Sequence, residues 1–438
     1  MKVHCLACKT LLLLVVLSMF FASGCATNPA TGRSQLNLMS MSTEEEISIG
    51  KNMFPQILQK MGGAYPDPEL QAYIQKVGDR LKYASHRTDI TYSFKVVNDS
   101  TPNAFAMPGG YIAITRGLLV NLNNEAQLAA VVGHEIGHVD ARHAVAGLQR
   151  NNLLGLGLAV LSGATGGAQY GSLIRSSGEV VATMLDRSYS RGQEEESDRL
   201  GIDYMVKTGY DPNGAVELQQ IFYQKIDKME NPQWLGGLFR THPFSKKRLD
   251  GNRAYIDAKY GLVKSAGRKD NDSFTEVTAR LRDALPGYAL YDQARTVEKN
   301  RSVEESISLY LQAAAIAPEE ALILAGLGIV YLKMEDFVSA KQHLLRAVKL
   351  DNHYYLSHLG LAYTYLNQGR ADKTIAHAEK SFKLLPTVEG VYLSARGYED
   401  AGQINKALER YHIVKKNDPK SKMGKHAAAR IVVLEGAK

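Results

Sequence analysis

Cysteine is scarce in this chain and is confined to its beginning. The only three cysteines among 438 residues are Cys5, Cys8 and Cys25. The first two lie in a segment that we expect to be removed, so the mature chain cannot form an internal disulfide. Its stability in an oxidising compartment must therefore come from hydrophobic cores, which 45% hydrophobic residues can supply across two domains.

The apolar run near the N-terminus is also short. Residues 11–21 are apolar and follow Lys2 and Lys9, whereas a transmembrane helix needs about twenty apolar residues. This pattern predicts a signal peptide over residues 1–24. The end of the run, Ala22-Ser23-Gly24-Cys25, resembles a bacterial lipobox and predicts that Cys25 is lipidated.

Two residues near Cys25 bear on where such an anchor would lie. Ala22 stands three residues before the cysteine, where leucine is usual, so cleavage nearby by an ordinary signal peptidase stays an alternative. Ala26 follows the cysteine in place of aspartate, which favours the outer membrane of a Gram-negative envelope. We predict a periplasm-facing protein that is anchored to the outer membrane through Cys25.

A large excess of charge of one sign is absent as well. The formal net charge is +7, and two of the contributing lysines belong to the predicted signal peptide. The mature chain is thus only moderately basic. This charge is compatible with acidic lipid surfaces and is too weak to indicate a nucleic-acid partner.

The chain does contain a metal-binding motif, His134-Glu135-Ile136-Gly137-His138. The preceding run from Asn124 reads as a helix with an asparagine cap and an acidic first turn. Two histidines four residues apart on one helix can bind one Zn²⁺, and Glu135 can act as general base on a water molecule at the metal. The alternative is a chance match.

A catalytic zinc site needs a third protein ligand from elsewhere in the chain. The best candidate is Glu194, in a second predicted helix that also carries Asp198 on the same face. One carboxylate can bind the metal while the other orients a ligand histidine. Spacing alone leaves open the alternative that Glu194, Glu195 and Glu196 form a solvated acidic face.

The two motifs together resemble a known family. H-E-I-G-H, followed some fifty residues later by S-R-x-x-E-x-E-x-D-x-x-G, is similar to the HtpX/CAAX-prenyl-protease-related zinc metallopeptidases, metallopeptidase family forty-eight, in the periplasmic BepA/LoiP-like branch. The resemblance spans roughly Asn28 to Lys259 and includes Asn28-Pro29-Ala30-Thr31-Gly32-Arg33 and Thr241-His242-Pro243 followed by Arg248.

The resemblance implies roles for individual residues. It makes His134, His138 and Glu194 the ligands of one Zn²⁺ per chain, Glu135 the general base, and Asp198 the carboxylate that orients a ligand histidine. Ser197, where the family commonly has alanine, is a small residue in place of another small residue.

Two further histidines need a separate interpretation. By the resemblance, His242 lies near the metal, where it stabilises the oxyanion or occupies the open coordination position and makes the resting enzyme latent. The alternative is that His242 only packs a turn before Pro243. His143 would point roughly 140° away from His138 on a continuous helix, so it is interpreted as a packing or hydrogen-bonded residue.

The remaining N-terminal half predicts helices and a small sheet. Ser42-Thr43-Glu44-Glu45 reads as a capping box, and a second helix is expected from Glu69 to Tyr83. Strands are expected around residues 90–96, near Ala104 and over residues 111–115. The last of these is a candidate peptide-binding edge strand, with an ordinary core strand as the alternative.

A repeat begins beyond the polar segment 263–275, which is the predicted linker. Equivalent positions recur about every 34 residues, at Tyr331, Tyr365 and Tyr398 and at Ala340, Thr374 and Ala407. This period resembles the tetratricopeptide repeat, so residues 276–438 are predicted as a tetratricopeptide-repeat domain. Its concave surface would bind polypeptides, or else the repeats only buttress the peptidase domain.

The predicted fold class is an α+β zincin-like metallopeptidase domain over residues 25–262, mostly helical with a small sheet, followed by an all-α tetratricopeptide-repeat solenoid. The predicted function is a zinc-dependent endopeptidase of the bacterial cell envelope that hydrolyses misfolded or stalled outer-membrane proteins. The repeats would bind substrates or the outer-membrane assembly machinery. The alternative is a chaperone or assembly adaptor for outer-membrane proteins with a latent peptidase domain.

Overall fold

The fold is known for most of the chain beyond the predicted signal peptide. The computed structural model describes residues 25–27, 32, 34–36, 41–150, 188–227, 237–261, 267–300 and 302–436. The predicted signal peptide, the Cys25 side chain and most of the segment from Asn28 to Arg33 lie outside the described part.

Two small sheets are present in the described part. Strand β1 (Cys25–Thr27) pairs antiparallel with β2 (Ser34–Leu36). The second sheet consists of β3 (Ser93–Val97), β4 (Ala104–Met107) and β5 (Tyr111–Thr115) in the spatial order β3-β5-β4. Strand β5 is parallel to β3 and antiparallel to β4.

This strand order corrects the expected peptide-binding edge. Strand β5 pairs on both sides and therefore cannot accept a further strand, so the proposal for residues 111–115 was wrong. The sequence pattern identified a strand but could not reveal its neighbours, because the chain adds β5 between the two earlier strands. Among the described residues, β4 is the edge strand on the side of the histidine motif, where its Ala106 N–H hydrogen-bonds to the Glu135 carboxylate.

Nine helices surround the three-stranded sheet in the described part of the N-terminal half. They are α1 (Thr43–Lys60), α2 (Pro68–Lys82), α3 (Arg116–Leu119), α4 (Glu125–Asp140), α5 (His143–Arg150), α6 (Arg191–Lys207), α7 (Asn213–Asp227), α8 (Leu238–Thr241) and α9 (Lys246–Tyr260). Helix α1 begins with the expected capping box of Ser42 and Glu45, and α6 begins with an equivalent box of Ser190 and Gln193.

Helix α4 carries the histidine motif and is held at both ends by buried carboxylates. At its start, Glu125 accepts hydrogen bonds from Tyr73 and from Tyr210 (2.7 Å). At its end, Asp140 accepts hydrogen bonds from Tyr92 (2.8 Å) and Tyr204 (2.6 Å). These partners come from α2, from α6 and the loop after it, and from the residue before β3, so they fix α4 to several neighbouring segments.

Helices α4 and α6 approach each other through small residues. A Cβ atom added to Gly201 of α6 would lie 2.8 Å from the His134 backbone nitrogen, and one added to Gly137 would lie 3.0 Å from the Ser197 carbonyl oxygen. Larger side chains at these positions would push the helices apart. The close approach brings the carboxylates of α6 to the histidines of α4.

The C-terminal half is a stack of helices. It contains α10 (Asn271–Asp283), α11 (Leu285–Lys299), α12 (Val303–Ile316), α13 (Ala321–Lys333), α14 (Phe337–Leu350), α15 (Tyr355–Asn367), α16 (Ala371–Leu384), α17 (Val388–Asp400), α18 (Ile404–Asn417) and α19 (Lys422–Gly436). Part of the predicted linker is therefore helical, because α10 begins at Asn271.

The repeat period has a direct structural counterpart. The small residues Ala340, Thr374 and Ala407 are completely buried in the second helix of successive pairs. The turns inside these pairs each contain a residue with positive φ, at Glu335, Gly369 and Gly402. The predicted fold class, a small-sheet metallopeptidase domain followed by a tetratricopeptide-repeat solenoid, is confirmed.

The two halves share one hydrophobic core. A continuous cluster of buried side chains extends from Tyr65 and Leu122 in the first half to Phe274 and Tyr354 in the second. Buried Glu320 accepts hydrogen bonds from Tyr65 (3.0 Å) and Tyr288 (2.6 Å), so it joins both halves. None of the described helices is both long and apolar enough to span a bilayer.

Candidate metal centre

Four side chains from three segments meet beside α4. They are His134, His138, Glu194 and His242, and their potential ligand atoms all lie within 4.8 Å of one another. The histidines of α4 are one helical turn apart, Glu194 comes from the first turn of α6, and His242 directly follows α8. All four are buried or nearly so.

The separations of the ligand atoms fit a tetrahedral metal ion. Two ligands that each lie about 2.0–2.1 Å from such an ion are about 3.3 Å apart. The Nε2 atoms of His134 and His138 are 3.0 Å apart, and they lie 3.5 Å and 3.4 Å from the carboxylate oxygens of Glu194. His242 Nδ1 lies 3.3 Å from His134 Nε2 and 3.0 Å from Glu194 Oε1.

Asp198 sets the orientation of His134. Its Oδ1 lies 2.9 Å from His134 Nδ1, and an ionised carboxylate can only accept a hydrogen bond. Nδ1 therefore carries a proton, and Nε2 is the ring atom that faces the other potential ligand atoms. This is the arrangement that a metal-bound histidine requires.

His143 orients the other histidine of the motif. Its Nδ1 lies 2.9 Å from His138 Nδ1, and its Nε2 lies 3.3 Å from Glu196 Oε2. With a proton on His138 Nδ1 and on His143 Nε2, both contacts are hydrogen bonds and His138 Nε2 stays free to bind a metal. The interpretation of His143 as a hydrogen-bonded residue is confirmed. Only the expected 140° separation was wrong, because α4 ends at Asp140 and Arg142 has φ 55°, which turns the chain back.

Arg248 of α9 holds the two carboxylates of α6. Its guanidinium donates to both oxygens of Asp198 (2.7 Å and 2.9 Å) and forms an ion pair with Glu194 (2.6 Å). Arg248 also donates to the carbonyl oxygen of Pro243 (3.0 Å), next to His242. A single buried cation thus positions a metal-ligand candidate, its partner carboxylate and the turn that carries His242.

The electrostatics favour a cation at this point. Burial opposes the ionised form of Glu194, but His242 and Arg248 hold its pKa well below the usual range. Burial likewise opposes ionised Asp198, but Arg248 and His134 lower its pKa. Arg248 balances only one of these two negative charges. Burial lowers the pKa of His138 well below its usual value, so its imidazole is neutral and able to bind a metal.

Glu135 lies beside the four potential ligands without joining them. It is 1% exposed, and burial raises the pKa of its carboxyl group. Among the described residues, no hydrogen bond reaches its Oε2 atom. Its Oε1 lies 3.5 Å from His242 Nε2, which is another buried atom without a hydrogen bond in the same part of the chain. These unsatisfied atoms mark a place for a metal-associated ligand or water.

Sequence reasoning assigned roles to six residues of this site and overlooked others; the six are His134, Glu135, His138, Glu194, Asp198 and His242. Arg248 appeared only as part of a motif, with no role attached to it. Tyr189 was also overlooked, and its ring stacks on His138 with centroids 3.9 Å apart. A buried arginine is expensive without partners, so an arginine downstream of two acidic motif residues could have suggested an ion pair.

Comparisons with known proteins agree with this geometry. Residues 68–255 match peptidase family M48. The chain is 28% identical to a putative beta-barrel assembly-enhancing protease of Vibrio cholerae, over 72% of this chain and 63% of the relative. It is 27% identical to a beta-barrel assembly-enhancing protease of Yersinia pestis, over 76% of this chain and 72% of that one.

A eukaryotic relative matches a shorter segment. The mitochondrial metalloendopeptidase OMA1 of Arabidopsis thaliana is 34% identical over 37% of this chain and 31% of its own length. The first of the three relatives is thus matched over less than two thirds of its length. The family match, residues 68–255, contains all four potential metal ligands.

Proposed function

Because the chain contains a metallopeptidase domain of family M48, similar to that of the beta-barrel assembly-enhancing proteases, we propose that it is a zinc-dependent endopeptidase. The observation that carries the proposal is the close set of ligand atoms around the motif histidines, which all lie within 4.8 Å of one another, with five of their separations between 3.0 and 3.5 Å. His134, His138 and Glu194 would hold one Zn²⁺, and Asp198 and His143 would orient the two histidines.

The chemistry divides between the ion and Glu135. A bound Zn²⁺ would act as a Lewis acid that activates a water molecule and polarises the scissile carbonyl group. Glu135 accepts the proton of that water and then donates it to the leaving amine. Its raised pKa suits both steps, because a carboxylate with a pKa closer to neutrality accepts a proton more readily and still releases it.

His242 is proposed to control access to the site. Its Nδ1 lies where a fourth ligand would complete a tetrahedron, so in this arrangement it would occupy the position that substrate or water needs. The resting enzyme would then be latent. Movement of the turn at His242 would open the site and would leave the imidazole close enough to stabilise the oxyanion.

Strand β4 is the proposed site for the substrate backbone. It is the sheet edge next to Glu135, so an extended peptide could pair with it by β-addition. An apolar pocket of about 50 Å³ lies beside His134 and Glu135 and is lined by side chains that include Val131, Leu218 and Phe222. We propose that it accepts a small apolar side chain next to the cleaved bond.

The proposed setting is the bacterial cell envelope. Two of the relatives are described as beta-barrel assembly-enhancing proteases, and the chain begins with a pattern for a signal peptide and a lipidated Cys25. We propose that the protein faces the periplasm from the outer membrane and hydrolyses misfolded or stalled outer-membrane proteins. The repeats would bind those polypeptides or the assembly machinery.

The test compares the signal-less chain with Glu135→Gln. The wild-type chain is expected to degrade an unfolded model protein, and Glu135→Gln is expected to lose at least about a hundredfold of that activity while it retains zinc. Zinc content and thermal unfolding, measured in both, separate loss of chemistry from loss of metal or fold. Equal activity in both proteins would contradict the role of Glu135.

The second candidate function is a chaperone or assembly adaptor whose peptidase site stays latent. The position of His242 favours it, because a closed site would suppress cleavage without any change in the motif. His242→Ala distinguishes the two functions. A gain in cleavage would support a latent enzyme, whereas zinc-loaded wild type and His242→Ala that both fail to cleave would support the adaptor.

A further inference from the structure

A second groove lies between the β3–β4 loop and the first helices of the repeat domain. It has a volume of about 550 Å³, and its walls are the end of α1, residues 98–101, α11 and the first residues of α15. One wall thus belongs to the peptidase domain and the other to the first helices of the repeat domain. The volume is in the range of sites that bind small molecules or short peptide segments.

The acidic side chains of this groove have hydrogen-bond donors nearby, whereas most of its basic side chains lack partners. Four basic side chains line it: Arg116 donates hydrogen bonds to Asn98 and Ser100. The other three, Lys60, Arg295 and Lys299, form no ion pair with any residue that the structure describes. Its acidic side chains, in contrast, have local donors: Asp99 accepts from the Thr101 N–H (2.6 Å), and Glu298 accepts from Tyr310 (2.9 Å). Cations without partners are therefore available to a ligand.

Asp292 is the acidic group nearest to these cations, and it does not neutralise them. Its carboxyl group hydrogen-bonds to Ser100, and burial raises its pKa. Arg116 and Arg295 act in the opposite direction on that pKa, but no ion pair joins Asp292 to either of them within the described chain. The groove as a whole keeps an excess of positive charge.

Two buried tyrosines supply an independent observation. Tyr291 and Tyr354 are 5% and 7% exposed, and both line the groove. Among the described residues, neither hydroxyl group has a hydrogen-bond partner. Arg295 lies over the Tyr291 ring, with its guanidinium carbon 5.8 Å from the centroid. The Arg295 guanidinium and the two tyrosine hydroxyl groups line the same groove and are donors that a carboxylate could bind.

The spacing of the cations favours more than one carboxylate. Lys299 follows Arg295 by one helical turn on α11, and Lys60 comes from the facing wall. An extended polypeptide presents alternate side chains about 7 Å apart, so it could place successive acidic groups along the groove.

The groove is also connected to the cleavage site. Residues 98–101 in its wall lead directly into β4, the strand proposed to pair with substrate. We propose that the groove binds an acidic segment of an extended polypeptide and that the same polypeptide continues toward β4 and the metal centre. This inference rests on the proposed peptidase function, since it names the class of substrate segment that the chain holds.

The experiment measures binding separately from cleavage. The full signal-less chain with Glu135→Gln is titrated into a short fluorescein-labelled peptide that alternates glutamate with alanine and is amidated at its C-terminus. A second peptide has glutamine in place of glutamate. The glutamate peptide is expected to bind at least about tenfold more tightly than the glutamine peptide, and to bind more weakly as salt concentration rises.

Arg295→Ala identifies the site, and Arg346→Ala on exposed α14 is the matched control. Arg295→Ala is expected to weaken binding of the glutamate peptide by about tenfold or more, and Arg346→Ala is expected to leave it unchanged. Equal binding of both peptides, or equal losses in both variants, would overturn the proposal. A glutamine peptide with a free C-terminal carboxylate is a further control. The proposal would also be overturned if this peptide bound and the amidated glutamine peptide did not.

The result is independent of the peptidase assay. If wild type degrades the unfolded protein but Arg295→Ala does not change acidic-peptide binding, the groove inference fails alone. If the peptide binds through Arg295 but wild type cleaves nothing, the proposed enzymatic function fails and the groove remains a polypeptide-binding site.

Discussion

The two halves of the chain place their charged side chains differently. Around the metal centre, Glu135, Glu194, Asp198 and Arg248 are all buried within a few ångströms of one another. In the repeats, ion pairs such as Arg430 with Glu399 lie near the surface, and the helix pairs pack through alanine, leucine and tyrosine. Among the described residues, most buried charged side chains belong to the peptidase half, and those at the metal centre are stable only when all of them are paired.

The largest effect is expected when that pairing is broken. Arg248→Ala leaves Glu194 and Asp198 buried without their cation, so the free energy of unfolding should fall by about 3–5 kcal/mol. Zinc affinity should fall as well, because Asp198 no longer holds His134 in place. Chemical denaturation and metal titration measure both quantities. A loss below about 1 kcal/mol would mean that the buried pairs matter no more than surface ones.

Acid should destabilise the repeats at His358, a buried histidine that contacts a second histidine. Burial lowers the pKa of His358 to about 4, and its Nδ1 lies 3.0 Å from His377 Nδ1. Between pH 6.5 and 4 the unfolded chain binds a proton that the folded chain does not. The free energy of unfolding should therefore fall with the pH in that window, by about 2–3 kcal/mol, and be constant above it.

Denaturation of the wild type and His358→Gln at several pH values tests this expectation. The variant is expected to lose the His358 contribution to the pH dependence, whatever its own stability at pH 7. The same slope in both proteins would show that other groups cause the acid sensitivity, and that the repeats tolerate charge at His358.

We expect that a side-chain atom added between α4 and α6 would lower both the stability and the zinc affinity of the protein. Gly201→Ala would place a Cβ 2.8 Å from the His134 backbone nitrogen, so α6 should shift and stability should fall by about 1–3 kcal/mol. Zinc affinity should fall with it, since Glu194 and Asp198 move with α6. Gly251→Ala on α9 is the control, because its Cβ would meet no atom within 4 Å and should stabilise the helix slightly. Equal zinc affinity in both variants would contradict this account.

The smallest effect is expected in the repeats. Arg430→Met removes the ion pair with Glu399 but keeps most of the apolar stem, so the free energy of unfolding should change by only about 0–1 kcal/mol. The measurement is the same denaturation experiment used for Arg248→Ala. A loss as large as that of Arg248→Ala would remove the contrast between the two halves.

Much of the site could be predicted because it follows from helical spacing. The motif histidines are four residues apart on one helix, as are Glu194 and Asp198, and short patterns report such local relations well. The capping box at Ser42 is local in the same sense. The repeat period was visible because the same packing requirement recurs at Ala340 and its equivalents.

The parts that could not be predicted depend on contacts distant in sequence. The central position of β5 depends on which strand pairs with which. The role of His143 depends on the end of α4 at Asp140 and the turn at Arg142, and that of Arg248 depends on an ion pair fifty residues away. The groove at Arg295 has no motif, because its walls come from both halves of the chain.

The shared core limits how this protein could be truncated and how its domains could be exchanged with those of relatives. Tyr65, Leu122 and Phe274 belong to one cluster, and Glu320 ties both halves to it. A chain cut at residue 262 would expose to water the face that the repeats cover and would be prone to aggregate. The repeat domain therefore cannot be exchanged between relatives on its own, because the exchange would require matching changes on the peptidase surface.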